Sequence, residues 1–226
     1  MATIYSYGGT DGYIYKSSTS NWADARDATT GTGTGRTATR GSQAIKASKG
    51  AIRGGGTAWQ VFRSFLRFDT SGISDTDEGF GIRLGCYGYA TNSADVFVVK
   101  AGNLADFQAA YFDLIDGWSA GVDNEGNVTK YSDEFTSWSY SGYNNITLNA
   151  AARTAIEDDD AFNICLIESV HDLRNVEPTV GGAYPASVPS GMYYADYTGT
   201  SRDPYIKYTP AAVASADNAT FFGANF

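Results

Sequence analysis

Residues 61–69 read VFRSFLRFD. In an extended chain successive side chains point to opposite faces, so Phe62, Leu66 and Phe68 share one face while Val61, Arg63, Phe65 and Arg67 share the other. Both faces carry bulky apolar groups. Together with the break at Gly54, Gly55 and Gly56, this predicts a central strand buried on two sides.

Residues 80–90 repeat the pattern, with Phe80, Ile82, Leu84 and Cys86 alternating against Gly81, Arg83, Gly85, Tyr87 and Tyr89. The Thr91, Asn92, Ser93 turn leads into a second strand over 95–101, which predicts a hairpin. Toward the N-terminus, 2–7 and 13–16 read as short strands around the turn cluster Gly8, Gly9, Asp11 and Gly12. Residues 29–41, TTGTGTGRTATRG, hold nothing apolar larger than Ala and read as a loop.

Residues 103–117 depart from the β pattern. Leu104, Phe107, Tyr111, Leu114 and Ile115 fall at helical spacing between Asn103 as N-cap and Gly117 as stop, predicting a short helix. Aromatic and turn residues alternate over 118–143, with a hairpin tip at Asp123, Asn124, Glu125 and Gly126. A strand at 146–148 is followed by a helix capped by Asn149 and running through Ile156. The stretch FNICLIES at 162–169 reads as a buried strand, and two more strands are expected near 192–197 and 205–208. The fold class is therefore all-β, a jelly-roll-like two-sheet β-sandwich with one or two short helices. One domain covers residues 1–210, and residues 211–226 form a C-terminal interaction tail. In that tail Phe221, Phe222 and Phe226 lack a core of their own and are costly to leave in water, so they are expected to dock on a partner.

Composition bounds the partners. The chain has 226 residues and a formal net charge of −9, with 26 Gly, 16 Tyr, 12 Phe and 4 Trp. An acidic chain argues against nucleic acid, which needs clustered Lys and Arg to neutralise phosphates. Arg26, Arg36, Arg40, Lys46, Lys49 and Arg53 do gather in the first quarter, where they read as the solvated face of an early hairpin. No stretch is long and apolar enough for a membrane span. The N-terminus lacks a basic segment followed by an apolar one, so export by the usual route is not expected. Cys86 and Cys165 sit in strand-like runs, as two buried thiols or as a single bridge.

The sequence offers little catalytic chemistry. His171 is the only histidine, so any Ser-His-Asp triad must pass through it, and no G-x-S-x-G elbow occurs. Its place after FNICLIES, beside Asp172, suits a loop-packing role. GTGTG at 31–35 lacks the following Lys and helix of a phosphate loop. Asp113, Asp116 and Glu168 are the carboxylates to watch for glycoside chemistry, although spacing selects no pair. A metal site is not read from the sequence and no cofactor is expected. The places to look for a structural calcium are Asp123, Glu125 and Asn127 or Asp172, Asn175 and Glu177, since loop oxygens suit that hard ion. Trp118, Trp138, Tyr140 and Tyr143 cluster in loop-like sequence and are the glycan-binding candidates, because aromatic faces stack on sugar rings.

The order of several motifs carries a resemblance: RSFLRFDTSGI at 63–73, WSYSGYNNITLNAAARTAI at 138–156, FNICLIESVHDLRN at 162–175 and YYADYTGTSRDPYIKYTP at 193–210. Together they resemble the DNRLRE-type, carbohydrate-binding-module-like β-sandwich domains of extracellular proteins and of structural proteins of tailed bacteriophages. The resemblance implies a non-enzymatic adhesive or decorating role and transfers no catalytic residue. Combined with the missing export segment, it gives the expectation of a virion protein made in the host cytoplasm. Such a protein would be a capsid decoration, cement or fibre component, present in multiple copies or as a homo-oligomer. Its partners would be phage capsid or tail proteins and host-surface or environmental glycans. A stand-alone carbohydrate-binding module is the alternative, and a glycan-degrading enzyme the remoter one.

Overall fold

A computed structural model describes residues 1–35, 40–52, 55–89, 94–180, 190–195 and 198–212. The 61–69 stretch lies in the longest strand, β5 (Thr57–Asp69), which organises one layer. Along one of its edges runs β2 (Gly12–Ser18), which also pairs with β3 (Gly33–Thr34). Along the other edge β4 (Arg40–Ala51) and β9 (Ala161–Glu168) lie end to end, and β7 (Val96–Lys100) pairs with β9. All these pairings are antiparallel.

The second layer is centred on β6 (Ile82–Tyr89). One edge of β6 takes β8 (Gly142–Leu148); the other takes β11 (Tyr205–Tyr208) and β10 (Ser190–Tyr193) in succession. Beside β11 lies β1 (Ala2–Tyr5). The first half of β4 pairs with β10 and its second half with β5. The two layers are thus one hydrogen-bonded sheet of eleven strands among the described residues, folded over on itself at β4. The expected all-β sandwich is found, with its two sheets joined.

Between the layers Leu66, Phe68, Ile164 and Leu166 meet Ile82, Leu84, Ile146, Met192 and Ile206. On the far side of the β5 layer Val61, Phe65, Phe97, Val99 and Ile167 pack under Trp22, Leu104, Phe107, Phe112, Ile115 and Leu173. Burial on both faces explains why β5 carries bulky apolar groups on each of its faces and why only Asn163 and Glu168 interrupt the apolar run of β9. Cys86 and Cys165 are free and buried, one in each core.

Local signals set the two α-helices among the described residues. In α1 (Trp22–Arg26), not foreseen from the sequence, the Asn21 side chain accepts the Asp24 N–H at 2.8 Å. In α2 (Ala150–Asp158) Asn149 accepts the Ala152 N–H at 3.1 Å, as its sequence predicts.

The helix expected over 103–117 does not form; the segment holds only a 3-10 turn at Ala109–Tyr111. Its backbone groups go to β7 and its extension instead: the Asp116 N–H donates to the Lys100 carbonyl, and Ala101 bridges Ile115. Of the residues at that spacing Leu104, Phe107 and Ile115 are buried and Tyr111 and Leu114 half-buried all the same, so the spacing marked burial and not helix. The expected hairpin of 80–90 with 95–101 is also corrected. β6 and β7 pair with different partners in different layers, and the intervening Thr91, Asn92 and Ser93 lie outside the described residues.

The solvated basic face is corrected at two positions. Arg26 is fully buried in the second core, and Lys46 is 1% exposed against Phe62, with Nζ donating to Gln60 Oε1 at 3.1 Å. Arg36 and Arg53 lie outside the described residues. Burial lowers the Lys46 ammonium from the usual 10.5 to about 8. Below pH 8 both folded and unfolded chains hold this proton. Between about 8 and 10.5 only the unfolded chain does, so stability should rise with pH across that window. Urea midpoints of the wild type and Lys46→Met, measured from pH 7 to 10.5, test this: the midpoint difference should shift steadily in favour of the wild type above pH 8, and a constant difference contradicts it.

Candidate functional site

The outward face of the β6 layer follows from strand register. Ile82, Leu84 and Cys86 point into the core, so Arg83, Gly85, Tyr87 and Tyr89 point out. Pairing aligns these with outward positions of the neighbouring strands. One row across the face reads Tyr5, Tyr205, Gly85, Asn145; the row beside it reads Thr3, Lys207, Arg83, Thr147; Tyr87 stands opposite Tyr143, and Tyr193 opposite Arg40. Tyrosine dominates the face.

Gly85 is what lets one ring lie flat. A Cβ built there would stand 2.3 Å from Tyr205 Cζ and 2.6 Å from both Cε atoms. The Tyr205 ring thus covers the bare Gly85 backbone and reaches across it to donate its O–H to Asn145 Oδ1 at 2.8 Å. Tyr143 packs against it at 4.8 Å between centroids, with its hydroxyl donating to the Asp203 carbonyl at 3.2 Å. Tyr87 meets Tyr143 and Tyr193 edge-on at 5.1 and 5.5 Å, and Tyr89 meets Tyr193 at 5.4 Å. Edge-to-face contacts of this kind lock ring orientation.

Arginines frame the far end. Arg202 lies 4.7 Å over Tyr193 and donates to its hydroxyl at 2.6 Å, while Arg40 lies 4.3 Å over Tyr89. Burial raises the Tyr143 phenol, with Tyr205, Tyr5 and Asp203 adding to the shift, and burial likewise raises Tyr205. Both hydroxyls are neutral donors throughout the physiological range. Pre-placed rings, neutral hydroxyls and the Asn145 amide can hold a polyhydroxylated ligand, with apolar faces stacked and polar edges hydrogen-bonded.

The four glycan candidates separate. Tyr143 belongs to this face. Tyr140, 59% exposed, stands apart in the preceding turn. Trp138 is corrected: at 4% exposure it is a core residue, edge-on to Phe135. Trp118 is half-buried against the second core, away from this face, with the guanidinium groups of Arg63 and Arg26 over its ring at 4.1 and 4.5 Å. Phe221, Phe222 and Phe226 lie outside the described residues.

The sequence reading missed Tyr5 and Tyr205, and also Tyr193, which at 4% exposure lies under Arg202 and supports the face from beneath. The alternation of Arg83, Gly85, Tyr87 and Tyr89 was the one local signal for the face; the other rings join it only through strand pairing.

The remaining candidates are engaged elsewhere. Glu168 accepts N–H groups from Val170, His171 and Asp172 and so caps a π-helical turn at Ser169–Leu173. His171 Nδ1 lies 2.7 Å from the Val176 carbonyl. Asp116 accepts from Thr129, and Asp113 is raised by burial. Asp123 forms an Asx turn with the Glu125 N–H, while Glu125 itself pairs with Arg174 at 2.6 Å. Asp172 pairs with Arg63, Asn175 accepts from Trp22, and Glu177 pairs with Lys49. Among the described residues no three His, Cys, Asp or Glu side chains gather as for a metal ion, and no helix is long and apolar enough to cross a membrane. Gly33 and Gly35 of the GTGTG stretch pack against the Tyr15 and Tyr13 rings.

No protein-family model matches the sequence, and no curated protein matches it.

Proposed function

We propose that this chain is a non-enzymatic surface protein of a tailed-bacteriophage particle, a capsid decoration or fibre component. In this reading it holds host-surface or environmental glycans on the tyrosine face of its β6 layer. The observation that carries the reading is Tyr205 lying flat over Gly85 with Tyr143 and Asn145 beside it. A ring that is already oriented loses little freedom when a sugar stacks on it. The motif order over residues 63–210 supports the particle context, as does the all-β sandwich. On sequence grounds alone, Phe221, Phe222 and Phe226 are the proposed contact with capsid or tail proteins, in multiple copies per particle.

The tyrosine face suits a stand-alone carbohydrate-binding module equally well, and location separates the two. Intact particles purified on a density gradient should carry the chain in stoichiometric amounts. Recovery only as free protein, with none on particles, overturns the virion reading.

A further inference from the structure

The charge of the tyrosine face runs against that of the whole chain. The protein carries 25 acidic and 16 basic residues. Yet the outward strand positions of the β6 layer, among the described residues, hold Arg40, Arg83 and Lys207 and no carboxylate. Arg202 joins them from the segment before β11, where the neighbouring Asp203 is buried.

Arg83 and Lys207 are also direct cross-strand neighbours, both exposed, flanked in their row by Thr3 and Thr147. Like charges placed opposite each other weaken a sheet, and among the described residues neither forms an ion pair. They line a cleft of about 180 Å³ together with the exposed Phe80 and Gly81 and the half-buried Tyr208. This pair stands one outward position, roughly 7 Å, along the strands from the Tyr205 and Gly85 row.

We infer that the ligand of the tyrosine face is an anionic glycan, whose carboxylate or sulfate groups are taken by Arg83 and Lys207 while a neighbouring sugar ring stacks on Tyr205. The inference rests on the glycan reading proposed above and adds its substrate class. A single-stranded nucleic acid also combines stacking bases with negative charge. However, it carries a phosphate at every nucleotide, which a few basic groups on a protein of net charge −9 match poorly. A sugar chain with spaced acid groups and many hydroxyls fits the mixture of two cations, Asn145 and tyrosine hydroxyls better.

The full chain is titrated with a uronate hexasaccharide, a sulfated hexasaccharide, a neutral hexasaccharide and a twelve-residue oligothymidylate, each at low and high salt. At least one acidic sugar should bind about tenfold or more tighter than the neutral one and weaken with salt. The Arg83→Gln, Lys207→Gln double variant should fall to the neutral level while its binding of the neutral sugar stays unchanged. Equal, salt-independent binding of acidic and neutral sugars overturns this inference and leaves the glycan reading standing. Tighter binding of the oligothymidylate than of any sugar overturns it in favour of nucleic acid. Folded wild-type protein that binds no sugar at millimolar concentration overturns both.

Discussion

Asp172→Ala should destabilise the protein by about 3–5 kcal/mol, the cost of leaving a buried charge without its partner. Asp172 sits with no exposed surface in the second core, accepting from Arg63 Nε at 2.8 Å and Nη2 at 2.7 Å. Arg63 also donates to the carbonyls of Phe112 and Arg26, and Arg26 donates in turn to those of Asp172, Val122 and Leu173. One ionic cluster therefore ties β5, α1, the 112–122 segment and the π-helical turn together. Removal of the carboxylate leaves the Arg63 guanidinium facing the Phe112 and Arg26 carbonyls alone, while Arg26 keeps Asp27 at 2.5 Å. Burial opposes the charge on Arg63, and Asp172 more than offsets it, holding that guanidinium above its ordinary range. The Arg63→Met, Asp172→Leu pair should recover much of the loss, because apolar groups of similar size can replace a buried ion pair. Urea unfolding of the single and double variants measures both effects. A single-variant loss under about 1 kcal/mol, the range of an exposed ion pair, contradicts the assignment.

The second large effect concerns binding. Tyr205→Ala removes the flat ring and should weaken glycan binding by at least about tenfold, or 1.4 kcal/mol, as expected for an aromatic anchor. Gly85→Val should do the same while leaving every aromatic residue in the sequence. Its side chain would occupy the space under Tyr205, where even a Cβ stands 2.3 Å from Cζ, and lift the ring off the sheet. Valine suits an outward strand position, so the fold should survive. Isothermal titration of both variants, with circular dichroism to verify folding, distinguishes loss of the platform from loss of structure. By contrast, Tyr140→Ala should leave affinity unchanged.

Strands were legible where the signal was local. β5, β6 and β9 announce themselves through apolar alternation or continuous apolar runs, and Asn149 marks the start of α2. Partner choice was not legible. Residues 80–90 and 95–101 look like a hairpin because a turn separates them, whereas long-range pairing puts them in different layers. Arg26 looks like a surface charge because Asp172, whose carbonyl it reaches in the core, is 146 residues away. The candidate face was half legible for the same reason. The outward set of β6 can be read from its alternation, but Tyr5, Tyr143, Tyr193 and Tyr205 come alongside only through register. The tryptophans misled because turn-rich sequence around them suggested exposure, while Trp138 packs into the inter-layer core and Trp118 lies under two arginines.

The most direct test of the central claim is residue-resolved NMR of the full chain during titration with a glycan that it binds. The account predicts shift changes concentrated at Gly85, Asn145, Tyr143 and Tyr205, with contacts from sugar protons to the Tyr205 ring. Shift changes centred instead on Tyr140 or the α1 surface, with Gly85 and Tyr205 silent at saturation, would contradict it.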